Sequence, residues 1–308
     1  MRALRIHEFG GPEVMRFDDV PVPQPADDEL LLRVHAASVN PVDYKTREGK
    51  FGPVGEDQLP LTLGRDVSGT VEACGRRVEG FRPGDEAYAM LAHDRGAFAE
   101  YVILKEDEAS PKPGGLGHVE AASVPLAALT AWQGLFDHGG LQAGQRVLIH
   151  GAAGGVGHFA VQFAREKGAR VHVTVSERDV EFARRLGADE VIDYRSERFE
   201  DRARDMDLVF DLIAGDTQQR SWSVLKPGGT MVSTLGPPSE DEARAHHARG
   251  VGYMAEPNGG QLAAIGRMIE AGSVVPEIDA TFPFDDARAA ETHKQEDHVR
   301  GKVVLRLA

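Results

Sequence analysis

A short apolar stretch followed by a cluster of glycines constrains the fold of this chain more than any other feature. Arg146–His150 is predicted to be a buried strand, Gly151–Gly157 carries four glycines, and Val156–Lys167 is an amphipathic helix. Glycines let the backbone approach a phosphate closely, and a helix N-terminus offers free N–H groups with partial positive charge. The spacing is G-x-x-G-G-x-G and not G-x-G-x-x-G, but the strand–turn–helix context favours dinucleotide binding over a ligand-free turn.

Strands and helices alternate along the middle of the chain. After the glycine cluster we predict four strands and two helices: Arg170–Val175, Glu190–Tyr194, Leu208–Ile213 and Thr230–Leu235, with Asp179–Leu186 and Gln218–Leu225. The helical stretch His118–Leu135 precedes them, and Val251–Ala255 and the helix Gly260–Ala271 continue the pattern. The alternation predicts an α/β, doubly wound parallel sheet in a nucleotide-binding domain at 118–272.

The two ends of the chain are predicted to form a second domain, 1–117 plus 273–308. Short runs between Pro and Gly residues predict the strands Met1–Ile6, Leu30–Ala36, Val67–Ala73, Glu86–Met90 and Ala99–Ile103. Such strands favour a partly open β-barrel or sandwich. The tail adds a short helix near Asp285–Thr292 and a final strand, Lys302–Leu307.

Composition excludes several classes of protein. The 308 residues contain 35 Lys+Arg against 49 Asp+Glu, a net charge of −14 that disfavours nucleic-acid binding. Apolar runs fall far short of the roughly 20 residues that span a bilayer, and the N-terminus lacks the apolar segment of a signal peptide. Cys74 is the one cysteine, so neither an intrachain disulfide nor a cysteine-rich zinc cage can form. We therefore expect a cytoplasmic protein without a membrane partner.

The end of the second strand of the nucleotide domain bears on the choice between NADPH and NADH. Ser176 and Arg178 could bind a 2′-phosphate, whereas Glu177, 20 residues after Gly157, could hold the ribose and repel a phosphate. Ser176 could also be a plain helix N-cap. The residues themselves favour NADPH but leave NADH open.

Several motifs in order resemble the medium-chain dehydrogenase/reductase superfamily, in its zinc-independent quinone oxidoreductase (zeta-crystallin-like) branch. The resemblance covers essentially the whole chain. Its motifs are Ser38–Asp43, Leu63–Gly69, Phe81–Glu86, Leu126–Trp132, His150–Gly157, Leu186–Tyr194, Leu225–Gly229 and Gly301–Leu305. It implies a Rossmann domain inserted in a GroES-like, partly open β-barrel domain, NADP(H) as cofactor, and a homodimer or homotetramer.

The resemblance also implies cofactor-binding residues. Gly154, Gly155 and Val156 would contact the pyrophosphate. The usual NAD-selective acid falls on Thr174, so Ser176 and Arg178 would hold the 2′-phosphate with Tyr194 beside them. The remaining positions that would approach the nicotinamide or the cofactor are Lys45, Thr130, Leu235, the Gly252–Tyr253 backbone, His298 and Val299.

The resemblance places no metal at the catalytic position. Asn40 stands where zinc-dependent relatives carry Cys, and Gly64-Arg65-Asp66 stands where they carry Gly-His-Glu. Without a Lewis acid, a quinone or an α,β-unsaturated carbonyl is a better hydride acceptor than an isolated ketone, because its charge delocalises. Asn40, Tyr44 and Lys45 are the predicted hydrogen-bond donors and catalytic residues, with Tyr44, Lys45 or water giving the proton. Asp43 is predicted to be structural, and Asn40 and Lys45 also have plain interpretations as a turn former and a surface charge.

Four functions follow from these residues. The first is an NADPH-dependent oxidoreductase that reduces a quinone, and its nearest rival is a reductase of the double bond of 2-alkenals or enones. A non-catalytic NADPH-binding or sensor protein belongs to another class. A zinc alcohol dehydrogenase is the fourth, which stoichiometric zinc would favour.

Overall fold

The structure is a computed structural model that describes residues 1–307. Its strands are β1 (Arg2–Ile6), β2 (Met15–Asp19), β3 (Glu29–Val39), β4 (Leu61–Thr62), β5 (Asp66–Cys74), β6 (Glu86–Met90), β7 (Tyr101–Lys105), β8 (Ala109–Pro111), β9 (Arg146–His150), β10 (Arg170–Val175), β11 (Glu190–Asp193), β12 (Met206–Asp211), β13 (Leu225–Ser233), β14 (Arg249–Gly252), β15 (Ile278–Pro283) and β16 (Lys302–Arg306). Its α-helices are α1 (Pro41–Arg47), α2 (His118–Ala122), α3 (Pro125–Trp132), α4 (Gly157–Glu166), α5 (Val180–Leu186), α6 (Phe199–Arg202), α7 (Gly215–Ser221), α8 (Glu240–Ala245), α9 (Gly259–Glu270) and α10 (Ala287–Glu296).

Two compact units divide the chain. The first contains Met1–Leu126, Glu256–Gly272 and the chain from Pro276 onward, and the second contains Ala127–Ala255 with Ser273–Val275. In the first unit a seven-stranded sheet has the order β15-β16-β3-β5-β6-β8, with β7 paired to β3. A smaller sheet, β2-β1-β4, accompanies it. Alternate apolar side chains of these strands are buried in one core, which includes Leu4, Val39 and Leu305.

The second unit is built on a six-stranded sheet in the order β11-β10-β9-β12-β13-β14. All of its strand pairs are parallel. Numbered within the sheet, this is the order 3-2-1-4-5-6 of a doubly wound dinucleotide-binding fold, with the order reversing between β9 and β12. The predicted doubly wound parallel sheet is confirmed. The fold places the glycine cluster at the carboxyl end of β9, beside that reversal.

The boundaries of the units differ from the predicted 118–272. Residues 118–126 and 256–272 belong to the first unit and not to the second. His118 stacks on His35 of β3 at 4.4 Å between ring centroids. The Tyr88 hydroxyl donates to the Leu262 carbonyl in α9 at 2.7 Å. A Cβ added at Gly259 would lie 2.2 Å from the Ala109 carbonyl oxygen, so α9 packs closely on β8. Amphipathic periodicity predicts that a helix buries a face but not which sheet covers it.

The predicted helix His118–Leu135 is also corrected. The structure divides this stretch into α2, α3 and a π-helical segment, Gln133–His138. The break falls at Ser123 and Val124 because Pro125 has no N–H to donate and disfavours helical backbone in the residue before it. Pro125 instead starts α3, where a missing N–H costs nothing.

Candidate active site

Helix α1 carries the predicted catalytic residues of the first unit, and its N-terminus is held by Asn40 and Asp43. Asn40 has extended backbone (φ −125°, ψ 156°) and Pro41 is the first helical residue. Oδ2 of the Asp43 carboxyl group accepts the Asn40 backbone N–H at 2.7 Å. Asp43 is 2% exposed, so its side chain faces inward. Its structural role agrees with the interpretation made from the sequence.

The Asn40 side chain is fully engaged inside the protein. Its Nδ2 donates to the Asp66 carboxylate at 2.8 Å and to the Ser38 carbonyl at 3.3 Å. Its Oδ1 accepts a hydrogen bond from the Lys302 ammonium. An amide has two N–H donors, and both are used here. Both Asn40 N–H groups are thus hydrogen-bonded to neighbours in the same unit, and its role as a donor to substrate stays a prediction.

Asp66 is the centre of this buried cluster. Its Oδ2 accepts from the Ser38 hydroxyl at 2.6 Å, from Asn40 and from the Lys302 ammonium at 3.2 Å. Its Oδ1 accepts the Leu126 N–H, in the first turn of α3, at 2.6 Å. Asp66 is 0% exposed and Lys302 is 1% exposed. Two opposite charges thus neutralise each other in the interior, with every Asp66 oxygen satisfied.

Asp66 and Lys302 were missed as site residues. A usable signal was present: each is a charge at the first position of a strand, directly before apolar residues, Val67 in β5 and Val303–Leu305 in β16. A charge is rarely buried without a partner of opposite sign. Such a charge, if it is buried, needs a partner of opposite sign, although the sequence does not show which one it meets.

Tyr44 and Lys45 differ from Asn40 in that their polar groups are unengaged. Both side chains are half-buried on α1. Within residues 1–307, neither the Tyr44 hydroxyl nor the Lys45 ammonium makes a hydrogen bond or ion pair to a side chain or carbonyl. Burial, and after it the nearby Glu48 carboxylate, raise the pKa of Tyr44. Tyr44 therefore keeps its proton at neutral pH, and both groups can donate to a ligand.

A buried ion pair anchors the C-terminal end of α1. The Arg47 Nε donates to the Glu291 carboxylate in α10 at 2.7 Å, and both side chains are 0% exposed. Arg47 also donates to the Gly10 carbonyl at 2.7 Å. Burial, followed by the Glu291 charge, raises the pKa of Asp43 to about 8. Asp43 is accordingly protonated at neutral pH, which limits the negative charge behind α1.

The glycine loop of the second unit has the geometry that a phosphate-binding turn requires. Gly151 has a φ of +71°, which favours glycine, and a Cβ at Gly157 would lie 2.2 Å from the Gly151 carbonyl oxygen. A Cβ at Gly154 would meet only that same oxygen, at 3.4 Å. The space above Gly154 is thus open, while the start of α4 packs tightly on the turn at Gly151 and Ala152. These residues fit a dinucleotide pyrophosphate at the N-terminus of α4.

His150, the last residue of β9, is held as a neutral imidazole. The Ser221 hydroxyl donates to the Thr217 carbonyl at 2.6 Å, so it accepts from His150 Nε2 at 2.8 Å. His150 Nδ1 then accepts from the Thr174 hydroxyl at 2.8 Å. Complete burial lowers the pKa of His150 to about 4. Thr174, at the position predicted from the family for an NAD-selective acid, is an uncharged residue fixed by this network.

The residues predicted for the 2′-phosphate lie at the ends of β10 and β11. The Ser176 hydroxyl donates to the Asp179 carboxylate at 2.7 Å and is buried, so its proton is not offered outward. The role of Ser176 at the 2′-phosphate stays a prediction. Arg178 is exposed, and Tyr194 is 56% exposed with the Arg195 guanidinium 5.9 Å from its ring centroid. Arg195 is a cation that the sequence reasoning did not consider.

The remaining predicted cofactor residues are distributed over both units. In the second, Thr130 is buried in α3 and its carbonyl accepts from the Tyr253 hydroxyl, while Leu235 is 43% exposed after β13. In the first, His298 and Val299 lie between α10 and β16, with His298 exposed. The structure thus places Tyr253 and Thr130 together and leaves Leu235 open to a ligand.

The residues at positions 40, 65 and 66 do not fit a metal ion. Arg65 is a buried cation whose Nε donates to the Leu91 carbonyl at 2.6 Å, and the Asp66 oxygens are already filled by hydrogen-bond donors. The residues that the structure describes contain no group of three or more His, Cys, Asp and Glu side chains arranged to hold one. Among the same residues, no helix is long and apolar enough to cross a membrane.

Known protein families match both the N-terminal and the C-terminal part of the chain. A family model described as alcohol dehydrogenase GroES-like domain matches residues 26–114, and one described as zinc-binding dehydrogenase matches residues 186–305. The mitochondrial NAD(P)H oxidoreductase RTN4IP1 of Homo sapiens is 36% identical over 99% of this chain and 89% of its own length. The chloroplastic NADPH-dependent alkenal/one oxidoreductase of Arabidopsis thaliana is 34% identical over 99% of this chain and 79% of its own.

A solved structure gives the same result for the fold. The quinone oxidoreductase from Coxiella burnetii superposes with a TM-score of 0.94 at 35% identity, covering 100% of this chain and 99% of that one. Together with the glycine loop, the parallel sheet order and the donor set around Asp66, these matches assign the family. The chain belongs to the zinc-independent quinone oxidoreductase branch of the medium-chain dehydrogenase/reductase superfamily.

Proposed function

We propose that this protein is an NADPH-dependent oxidoreductase that transfers a hydride to a quinone. The observation that carries the proposal is the pair of unengaged donors, Tyr44 and Lys45, in a chain whose whole length matches a quinone oxidoreductase at 35% identity. A quinone oxygen that gains negative charge needs such donors and no further activation.

The second unit supports NADPH as the cofactor. Its glycine loop leaves space above Gly154 for a pyrophosphate, and Thr174 is uncharged where an acid would select NADH. Arg178, with Arg195 and Tyr194 nearby at the ends of β10 and β11, would hold the 2′-phosphate. Gly155 and Val156 complete the proposed pyrophosphate site. The residues of the second unit proposed to lie beside the nicotinamide are Thr130, Leu235 and Tyr253. His298 and Val299 of the first unit are also proposed to contact the cofactor. The name of the Arabidopsis thaliana relative specifies the same cofactor.

The reaction assigns clear tasks to two side chains. NADPH, when bound, supplies a hydride, and the quinone that accepts it becomes a hydroquinone anion. The Lys45 ammonium donates a hydrogen bond to the oxygen on which that charge develops. The Tyr44 hydroxyl donates its proton to the same oxygen, which completes the neutral hydroquinone, and Tyr44 recovers a proton from water. The raised pKa of Tyr44 keeps the proton in place until the oxygen becomes basic.

A 2-alkenal or enone is the second candidate acceptor. The 34% identity to an alkenal/one oxidoreductase over 99% of the chain favours it. Hydride would add to the β-carbon, Lys45 and Tyr44 would stabilise the enolate oxygen, and the α-carbon would take a proton. The same two donors serve both acceptors, so the acceptor is decided by assay.

Location and assembly remain predictions. We retain the expectation of a cytoplasmic homodimer or homotetramer, although the human relative is mitochondrial and the Arabidopsis thaliana relative is chloroplastic by name.

Cofactor oxidation tests the proposal. NADPH and NADH are followed separately with 9,10-phenanthrenequinone and with 2-hexenal. We expect turnover with the quinone and a preference for NADPH. Turnover with 2-hexenal alone would make the protein a double-bond reductase, and tight NADPH binding without turnover would favour a sensor.

Two variants of neighbouring lysines test the donor assignment. Lys45→Ala is expected to lower kcat at least tenfold while the KM for NADPH changes less. Lys50→Ala is the matched control, because Lys50 is exposed and pairs with Glu48 at 2.8 Å. If Lys45→Ala and Lys50→Ala had the same kcat and KM, Lys45 would have no role as a donor to the acceptor.

A further inference from the structure

The cluster around Asp66 contains a cation that belongs to the chain itself. Lys302 is 1% exposed, and its ammonium donates to Asn40 Oδ1 and to Asp66 Oδ2. Asn40 and Asp66 stand at the positions where zinc-dependent relatives would supply metal ligands. Because these residues do not fit a metal ion, the ammonium is the positive charge that they bind.

The ammonium determines the orientation of the Asn40 amide. Oδ1 must face the donating ammonium, and Nδ2 must face the Asp66 carboxylate, so the opposite flip would oppose donor to donor and acceptor to acceptor. The second Nδ2 proton reaches the Ser38 carbonyl at 3.3 Å. Asn40 is therefore held in one conformation from three directions.

The same residue forms the start of α1. Its backbone N–H is held by Asp43, and its carbonyl accepts the Asp43 N–H at 2.9 Å. Tyr44 and Lys45 follow as the fourth and fifth residues of the helix. A displacement of the Asn40 side chain would move this first turn and with it the two donors.

We propose that Lys302, through Asp66 and Asn40, is a positioning residue that fixes the first turn of α1 and so aims Tyr44 and Lys45 at the acceptor. The part about the acceptor rests on the proposed function, whereas the part about α1 does not. Lys302 touches no ligand itself, because its side chain is enclosed.

The test replaces Lys302 by Met, which keeps the length of the side chain and removes the charge. Lys112→Met is the control: Lys112 is a largely buried lysine of the same unit, 3.2 Å from Glu86, and lies outside the cluster. For both variants, stoichiometric NADPH binding gives the folded fraction, and kcat with 9,10-phenanthrenequinone is expressed per bound NADPH. Hydrogen exchange of the peptide covering residues 40–48 reports on α1 independently of turnover.

We expect Lys302→Met to lower kcat per bound NADPH at least tenfold, with the KM for NADPH within twofold of wild type and faster exchange in residues 40–48. Lys112→Met should change none of the three. Wild-type kcat per bound NADPH in Lys302→Met would overturn the proposal, because the lysine would then serve folding alone. Exchange in residues 40–48 that is unchanged, or equally raised in Lys112→Met, would also overturn it.

Two further outcomes separate this proposal from the proposed function. If wild type shows no turnover with any acceptor, the proposed function fails, and the exchange result alone decides whether Lys302 holds α1. Zinc is tested as the metal alone: stoichiometric zinc in wild type that is lost in Asp66→Asn would show a metal at the cluster and overturn the role of the ammonium.

Discussion

Loss of the Arg47–Glu291 ion pair is expected to destabilise the first unit strongly. Both side chains are completely buried, with Arg47 Nε 2.7 Å from Glu291 Oε2. Glu291→Leu would leave a guanidinium in the interior with only the Gly10 carbonyl, Gln295 and Glu48 near it. Removing one partner of a buried pair costs about 3–5 kcal/mol. For a domain of about 150–250 residues each kcal/mol shifts Tm by about 2–4 °C, so the fall should be about 6–20 °C.

The double variant tests the reasoning. Arg47→Met with Glu291→Leu removes both charges and is expected to recover most of the lost stability, since well-packed apolar residues often replace a buried pair without cost. Glu181→Leu is the control, because the Arg184–Glu181 pair is exposed and should contribute less than about 1 kcal/mol. The assay is thermal and urea unfolding followed by circular dichroism at pH 7. A double variant as unstable as Glu291→Leu, or a single variant that loses less than about 1 kcal/mol, would refute the argument.

Three further predictions concern the loop, the pH dependence and the cofactor. Gly157→Ala should abolish NADPH binding, because its Cβ would lie 2.2 Å from a backbone oxygen; Gly115→Ala, with open space around it, should bind normally in the same fluorescence titration. Asp43 has a pKa raised to about 8 by burial, so the folded state binds a proton that the unfolded state releases near pH 3.8, and stability falls as pH rises between these values. The pKa of buried His150 is lowered to about 4, so this residue makes stability rise with pH, but only up to about pH 6.5. Urea unfolding from pH 6.5 to 7.5 should therefore show a loss of stability that is steeper in wild type than in Asp43→Asn by up to about 1.4 kcal/mol per pH unit, and parallel curves of the two proteins would contradict the shift. Arg178→Ala should raise the KM for NADPH much more than that for NADH, with Arg195→Ala showing a smaller effect of the same kind; equal effects on both cofactors would remove Arg178 from the phosphate site.

Most of the fold was predictable because its signals are local. The apolar strand before Gly151, the glycines themselves and the alternation that follows lie within a continuous stretch, and they predict the parallel sheet of the second unit. The helix boundaries were less predictable. The break before Pro125 was readable from the proline, but the packing of α9 on β8 depends on a face that periodicity cannot assign.

The residue types of the candidate site were also predictable from the sequence, whereas their hydrogen-bond partners were not. The resemblance to a known family brought Tyr44 and Lys45 to notice, and their half-buried, unengaged groups are compatible with that expectation. It also proposed Asn40 and Ser176 as donors, and the structure commits both side chains to buried neighbours, Asp66 and Asp179. A hydrogen-bonding residue type indicates a capacity to donate, whereas its surroundings decide where the proton points.

The sequence by itself determined the six strands of the second unit, the glycine turn and the absence of an intrachain disulfide, because backbone preferences and cysteine number are properties of local sequence and composition. Only the tertiary structure decided which charges meet. Lys302 and Asp66 are 236 positions apart, and Arg47 and Glu291 are 244 apart. Such pairs form because the fold encloses opposite charges that cannot remain alone in the interior, and no local pattern records which partner each will find.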